Sequence, residues 1–372
     1  MKILEAFGEP LSYGGQEAFF MNALPHIDSR DMEIDLLSPY YCDNESIVRK
    51  VNERGGTVFT LNCRFAPGRV RATEIGPIRD FLRSHQYDVI HIHSSSSSML
   101  AIYALLAHQA GIPLIIVHSH CTGRYNWKHV MIKAATALIL RRCPDEYCAC
   151  SQEAGEWRFP ADICRKRLIV INNGIDISRF RYDENTRRKV RAELGIDDNT
   201  VLIGSVGRLT YQKNQTFLID ILEDIRSRDQ YADEYKLILV GEGEDRHILE
   251  SKAENAGLEQ DVIFTGAVDD VAPYLQAMDV AAMPSRYEGL AIAAIEAQAA
   301  GLEIIVSDAI PQAAAVTDSV TFLPISDTER WVCMLTQVHT RHPKQADMVA
   351  EHGYSTERTA EVLTRLYRGE YR

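Results

Sequence analysis

The chain repeats one unit: a short apolar run of strand length, a turn of small residues, then a helical pattern. In the first half such runs lie at 2–7 (KILEAF), 31–37, 57–61, 87–93, 113–117, 147–151 and 168–172, with helical patterns between them at 16–24 and 75–84. In the second half they lie at 201–207, 235–240, 262–265, 278–283 and 303–307. Alternation of this kind predicts parallel sheets covered by helices on both faces, the α/β class. Ligands bind such sheets beyond the C-terminal ends of the strands, so the residues after each run are the candidates for chemistry. The 372 residues suit two domains, at most three, at ~100–200 residues each.

The densest junction is 278–301. MDVAAM is a strand run, Pro284 and Ser285 end it, Glu288-Gly289 makes a turn, and 290–300 is nearly all Ala, Ile, Leu, Glu and Gln. A helix is expected to begin close to Gly289 and stop at Gly301. Its open N-terminus would offer unpaired N–H groups and partial positive charge to phosphate oxygens. Glu288 lies beside that seat, and Glu296 follows eight residues on. Eight helical steps would separate the two by roughly 12 Å at ~1.5 Å per residue. A retaining glycosidase pair needs about 5 Å and an inverting pair at most about 9.5 Å, so a hydrolase dyad is disfavoured. Carboxylates accept strong hydrogen bonds from sugar hydroxyls. One could hold a hexose and the other a ribose, with a diphosphate between them. A surface helix with solvated glutamates would carry the same letters.

A second junction supplies cations. The run 201–207 closes on Gly207-Arg208, and 209–214 (LTYQKN) leads into a helix, so Arg208 and Lys213 flank a turn and a helix start. Such a pair neutralises a diphosphate, Arg as a planar fork and Lys as a point charge. They stand in an otherwise acidic half. Residues 1–175 hold 19 Lys+Arg and 18 Asp+Glu, and the remainder 21 and 34, within a net charge of −12. That balance disfavours nucleic acid as a partner. Basic clusters at Arg64, Arg69 and Arg71, and at Lys128, Lys133, Arg141 and Arg142, either face an anionic membrane or are solvated. The helical pattern 128–142 itself reads as a core helix with small residues inside and basic ones outside.

The remaining junctions are less specific. Gly14-Gly15 lets the backbone approach a ligand, but no G-x-G-x-x-G is present, so a dinucleotide is not indicated. Five serines, 94–98, follow the DVIHIH run and form either a flexible turn or the hydroxyl-rich rim of a pocket. His118-Ser119-His120 end the next run. As metal ligands, His91, His93, His118 and His120 would need a converging carboxylate or cysteine that the letters do not show. The eight cysteines form no framework, and Cys143, Cys148 and Cys150 lack zinc-type pairing, which suits reduced thiols. No stretch nears the ~18 uninterrupted apolar residues of a membrane span. Glu5 and Glu9 stand where a signal peptide would be apolar, so a cytoplasmic location is expected.

Several of these segments together resemble the retaining glycosyltransferases of family 4, in particular bacterial exopolysaccharide and capsule enzymes. They are Glu288-x7-Glu296, Gly207-Arg208-x4-Lys213-Asn214, the turn Asn173-Gly174-Ile175-Asp176 and SQEAGEWRF at 151–159. The resemblance implies the GT-B fold, two Rossmann-like domains facing a cleft: an acceptor-binding domain over 1–174, a nucleotide-sugar-binding domain over 175–355, and a terminal helix over 356–372 that returns to the first. It implies hexosyl transfer from a nucleoside-diphosphate sugar, UDP-linked, to an acceptor hydroxyl, here a polyprenyl-linked oligosaccharide. A small cytosolic acceptor, a nucleotide-sugar 2-epimerase of the same fold and a silent sugar-binding module are the alternatives. No cofactor besides the donor and no metal are implied, and there is no Asp-x-Asp to hold one. Residue by residue, His118 would touch the donor sugar, Arg208 and Lys213 the diphosphate, Glu288 the sugar hydroxyls and Glu296 the ribose. Gly15, Gly207, Gly289 and Leu290 would lie against the donor, Gly241, Ala267 and Val268 would enclose its base, and His120 and Arg124 could line the acceptor side. The chain departs from the family pattern at Pro160, where Gly is usual, and at Glu303 and Ala313, where Pro and a glutamate are usual.

Overall fold

The computed structural model describes residues 1–12, 14–28, 30–66, 72–120, 127–228 and 235–370. They form two compact units, Met1–Gly174 with Thr356–Arg372, and Ile175–Ser355. Arg69, Arg71 and Arg124 lie outside the described residues.

The first unit holds seven strands: β1 Lys2–Phe7, β2 Glu33–Ser38, β3 Val58–Thr60, β4 Val89–Ser94, β5 Leu114–Ser119, β6 Glu146–Ala149 and β7 Leu168–Val170. All pair in parallel, in the order β3-β2-β1-β4-β5-β6-β7. The second unit holds β8 Val201–Val206, β9 Tyr235–Val240, β10 Val262–Gly266, β11 Val280–Met283, β12 Glu303–Ser307 and β13 Val320–Leu323. These too are parallel, in the order β10-β9-β8-β11-β12-β13. Each sheet therefore reverses its winding once, between β1 and β4 and between β8 and β11. Loops leaving the C-terminal ends of those strands diverge and leave a crevice there. Apolar side chains fill both faces of each sheet, as expected for strands with no solvent-facing side.

The last helix, Thr356–Tyr367, belongs to the first unit although it follows the whole of the second. Its stripe of Ala360, Val362, Leu363, Leu366 and Tyr367 joins Ile3, Phe7, Phe19 and Phe20 in one buried cluster. Helical spacing of the apolar residues from 362 onward foretells this stripe.

Three expectations change. The helix after Gly289 begins only at Ile292 and runs Ile292–Ala299. Serines 94–98 do not form a flexible turn: Ser94 ends β4, and the helix Ser97–Ala110 starts within the run. The helix Trp127–Arg142 is no core helix. Leu140 is buried, but Trp127, Val130, Met131, Ile132 and Leu138 are exposed.

Candidate active site

The crevice of the second unit is built from backbone first. Gly207 and Gly241 both adopt positive φ, +149 and +139. The Gly207 N–H donates to the Val240 carbonyl at 3.0 Å, and the Gly241 N–H to that of Gly266 at 3.1 Å. A Cβ on Gly241 would stand 2.2 Å from the Gly207 carbonyl oxygen. The ends of β8, β9 and β10 can thus touch only because no side chain intervenes. Beyond them Ala267 is exposed and Val268 half-buried.

On that base the two chemical junctions lock together. Lys213 Nζ lies 2.7 Å from Glu288 Oε1, with both side chains largely buried. Gln212 Nε2 donates to the Tyr287 carbonyl at 3.0 Å and to Glu288 Oε2 at 3.3 Å. The Arg286 N–H donates to the Gln212 carbonyl at 2.8 Å, and its guanidinium to Asn214 Oδ1 at 2.6 Å. Asn214 takes the left-handed conformation that joins the loop to the helix Gln215–Ser227, and its Nδ2 donates to the Pro284 carbonyl. This stapling explains the late helix start. Glu288 is drawn to Lys213 and Gln212 from another loop, which holds residues 286–290 out of helical geometry. The helix Ile292–Ala299 then starts after Ala291 without a side-chain cap, and the Ile292 and Ala294 N–H groups turn to the carbonyls of Leu290 and Ala291 at 3.0 and 2.9 Å.

Arg208, in the loop after β8, is exposed, and among the described residues its guanidinium makes no hydrogen bond or ion pair. Glu296, on the helix Ile292–Ala299, is half-buried. Burial pushes its carboxyl up to about 7, against the pull of Arg179 and Lys213. Gln212 and Arg286 carry no signal that separates them from ordinary loop residues, so the letters do not reveal their part in the site, whereas Asn214 stands in the motif that carries the resemblance.

In the first unit Gly15 opens the helix Gly15–Ala23 and has clear space where its Cβ would be. Glu9 ties this loop to the end of β4: it accepts from Gln16 Nε2 at 3.0 Å, from Ser94 Oγ at 3.0 Å and from the Ser95 N–H at 3.2 Å. His118, expected to touch a sugar, is instead fully buried, and its Nδ1 lies 3.2 Å from His91 Nε2. Strand alternation puts His118 and His120 on one face, but only His120 lies past the end of β5. The letters also hid a converging carboxylate. Glu5 of β1 lies 2.6 Å from His93 Nε2 and 3.4 Å from His91 Nδ1.

A cavity of about 590 Å³ in the second unit lies elsewhere. Glu303, at the start of β12, places it at the opposite end of the sheet, where His339 and His342 already bond Glu303 and Arg341 donates to the carbonyls of Ala300 and Leu275.

Residues 13–179 match the model of Glycosyltransferase Family 4, and residues 186–352 that of Glycosyl transferases group 1. Among curated proteins, the glycosyltransferase EpsF of Bacillus subtilis is 27% identical over 369 residues, 96% of this chain and 94% of that protein. The UDP-Gal:alpha-D-GlcNAc-diphosphoundecaprenol alpha-1,3-galactosyltransferase of Escherichia coli is 28% identical over 238 residues, 61% of this chain and 59% of that enzyme. Among solved structures, Anabaena HepE in complex with UDP-glucose is similar with a TM-score of 0.75 at 19% identity, over 99% of this chain and 100% of that one. Sucrose-phosphate synthase from Thermosynechococcus elongatus follows with a TM-score of 0.73 at 18% identity, over 99% of both.

Proposed function

Because the chain belongs to the family 4 glycosyltransferases, enzymes of GT-B architecture, we propose that it moves a hexosyl unit from a UDP-sugar to a hydroxyl of a polyprenyl-linked oligosaccharide, with anomeric configuration retained. The observation that carries this reading is the 2.7 Å contact between Lys213 and Glu288, which brings the cationic junction and the acidic one to a single point. Before the donor arrives, the carboxylate neutralises the buried ammonium. A diphosphate would draw Lys213 and Arg208 to its oxygens and free Glu288 to accept from sugar hydroxyls.

The chemistry follows from charge. The bond between the anomeric carbon and the diphosphate breaks, that carbon bonds to the acceptor oxygen on the same face, and the acceptor proton passes to the leaving phosphate. Negative charge grows on the phosphate as the bond stretches. Lys213, Arg208 and the partial positive charge at the start of Ile292–Ala299 would meet it, the kind of electrostatic arrangement that lowers such barriers most. These cations do what a metal would do, so the reading is metal-independent. Glu296, eight residues from Glu288, would take the ribose. The UDP preference and the lipid-linked acceptor are supported by the E. coli relative and the UDP-glucose complex of HepE, each by its own name. The enzyme would work on the cytoplasmic face of a membrane, reached through the exposed helix Trp127–Arg142. Among the described residues no helix is long and apolar enough to cross a membrane.

The test offers UDP-glucose, UDP-galactose and UDP-N-acetylglucosamine in turn with an undecaprenyl-diphosphate-linked saccharide and follows UDP release. One donor should support release that depends on the acceptor, and Lys213→Ala should lower kcat by about 100-fold or more. Near-normal turnover of Lys213→Ala removes the phosphate role. Inversion at C2 of the donor without any acceptor would mark an epimerase instead.

A further inference from the structure

The transfer scheme leaves the buried histidines of the first unit without a task, yet along one branch their protons can be placed atom by atom. Burial works to raise the carboxyl of Glu5, but His91 and His93 outweigh it and hold it down to about 2. Glu5 is therefore a carboxylate, which only accepts. Tyr367 Oη donates to its Oε1 at 2.6 Å. His93 Nε2, 2.6 Å from Oε2, must carry a proton. Burial, with His91 nearby, pushes His93 down to about 4, so it is neutral and its Nδ1 is bare. His120 Nε2 lies 2.8 Å from that Nδ1 and must donate to it. Burial, then His93 and His91, keep His120 neutral as well, so its own Nδ1 has a lone pair and no proton. Among the described residues that atom is buried without a partner.

We propose that Glu5 and His93 are positioning residues that lock His120 in one tautomer, with its Nδ1 waiting as the acceptor for a ligand hydroxyl at the C-terminal end of β5. A buried acceptor left unpaired is costly, and sugar chemistry supplies the matching donor in quantity. A similar branch runs from Glu5 through His91 to His118, but it ends on a fully buried residue, whereas His120 is partly exposed. The inference deepens the glycosyl-transfer reading, and the hydroxyl comes either from the transferred sugar or from the acceptor.

The test uses the full chain labelled with ¹⁵N-histidine. Long-range ¹H–¹⁵N spectra should show His120 in the Nε2–H form alone. Glu5→Gln, whose amide can donate to His93, should shift His120 toward the Nδ1–H form. A histidine-to-asparagine change places an amide oxygen near the old Nδ1, while glutamine places its amide near the old Nε2. His120→Asn should therefore keep most of the turnover and His120→Gln should lose about tenfold or more, with UDP affinity the same in both. A loss seen as weaker binding of UDP-glucose but not of UDP assigns the hydroxyl to the donor sugar. A loss seen only in transfer to the undecaprenyl-linked saccharide assigns it to the acceptor. If wild-type protein fails to bind UDP, the transfer reading falls while the tautomer result stands.

Three outcomes overturn the relay. One is a proton on His120 Nδ1 in the wild type, and another is full activity in His120→Gln. The third is a zinc ion retained one per chain after dialysis against EDTA. Ring nitrogens of His91, His93 and His118 lie within 4.8 Å of one another, and a metal held there would take the lone pairs that the relay uses.

Discussion

Glu296 shows how a binding residue can be told from a structural one by the sign of its effect. Its carboxyl sits at about 7, chiefly through burial, against ~4.3 in an unfolded chain. The folded protein thus binds the extra proton between these two values, so the contribution of Glu296 to stability is full below about 4.3 and is lost as pH rises through about 7. Above that the charge opposes folding by up to about 4 kcal/mol. Glu296→Gln removes the charge and keeps the shape. It is expected to raise the Tm of the second unit by several degrees at pH 8 and to leave it unchanged at pH 5, as read by calorimetry. If Glu296 takes the ribose as proposed, the same variant should bind UDP at least about tenfold more weakly, because a charged acceptor has become a neutral amide. Stability gained while affinity falls is the pattern of a side chain kept for its ligand. A variant that loses stability at pH 8 would place Glu296 among the folding contacts instead.

At the scale of elements, two glycines make opposite predictions from the same kind of observation. Gly241→Ala must put a methyl 2.2 Å from the Gly207 carbonyl at a φ of +139, so the loops after β8 and β9 must part. A cost of roughly 3 kcal/mol or more and loss of UDP binding are expected, read by urea titration and by calorimetric titration with UDP. Gly15→Ala meets nothing within 4 Å and replaces a poor helix former at a helix start. It should hold or raise the Tm while lowering transfer, if a ligand comes as close to that turn as the family resemblance implies. Equal activity in Gly15→Ala would leave the turn a structural feature only.

These elements also mark what could be read from the letters. Strands were legible because both faces of a parallel sheet are buried and each shows as an apolar run. The helix Glu184–Glu193 was not, since its sequence ENTRRKVRAE has almost no apolar stripe. It is held by Arg187 and Arg191, which donate to the carbonyls of Ala277 and Met278 and pair with Asp279, contacts that no local pattern announces. The late start of Ile292–Ala299 has the same cause. In the histidine cluster the period of two is plain, but the carboxylate that orders it is 88 positions from His93, and the tyrosine beside it 276 from His91. Long-range partners decide protonation and pairing, and local spacing is silent about both.

For the molecule as a whole, the charge asymmetry and one helix bear on where the enzyme works. The acidic excess lies after residue 175, whereas 127–142 carries Lys128, Lys133, Arg141 and Arg142 and not one carboxylate. On that helix Trp127 is 68% exposed, Val130 56%, Met131 61% and Leu138 57%. His129 stacks on Trp157 at 3.8 Å and so fixes the helix on its unit while these side chains stay in water. Arg141 is paired with Asp162 at 2.9 Å, but the helix itself brings no acid, and exposed apolar residues among its cations match an anionic lipid surface better than a second acidic-to-neutral protein face. Each cation that reaches such a surface adds about 1 kcal/mol at low salt. The chain is expected to float with vesicles containing phosphatidylglycerol, to do so less as NaCl is raised from 50 to 500 mM, and to stay behind with pure phosphatidylcholine. Met131→Asp should cut flotation by about tenfold or more without altering turnover on a soluble, short-chain acceptor, because no group of the proposed site is touched. Equal flotation on both kinds of vesicle would assign the binding to apolar contact alone. A concentration-dependent dimer that Met131→Asp disrupts would give the face to a second copy of the chain, and the route to a lipid-linked acceptor would then have to be sought elsewhere on the first unit.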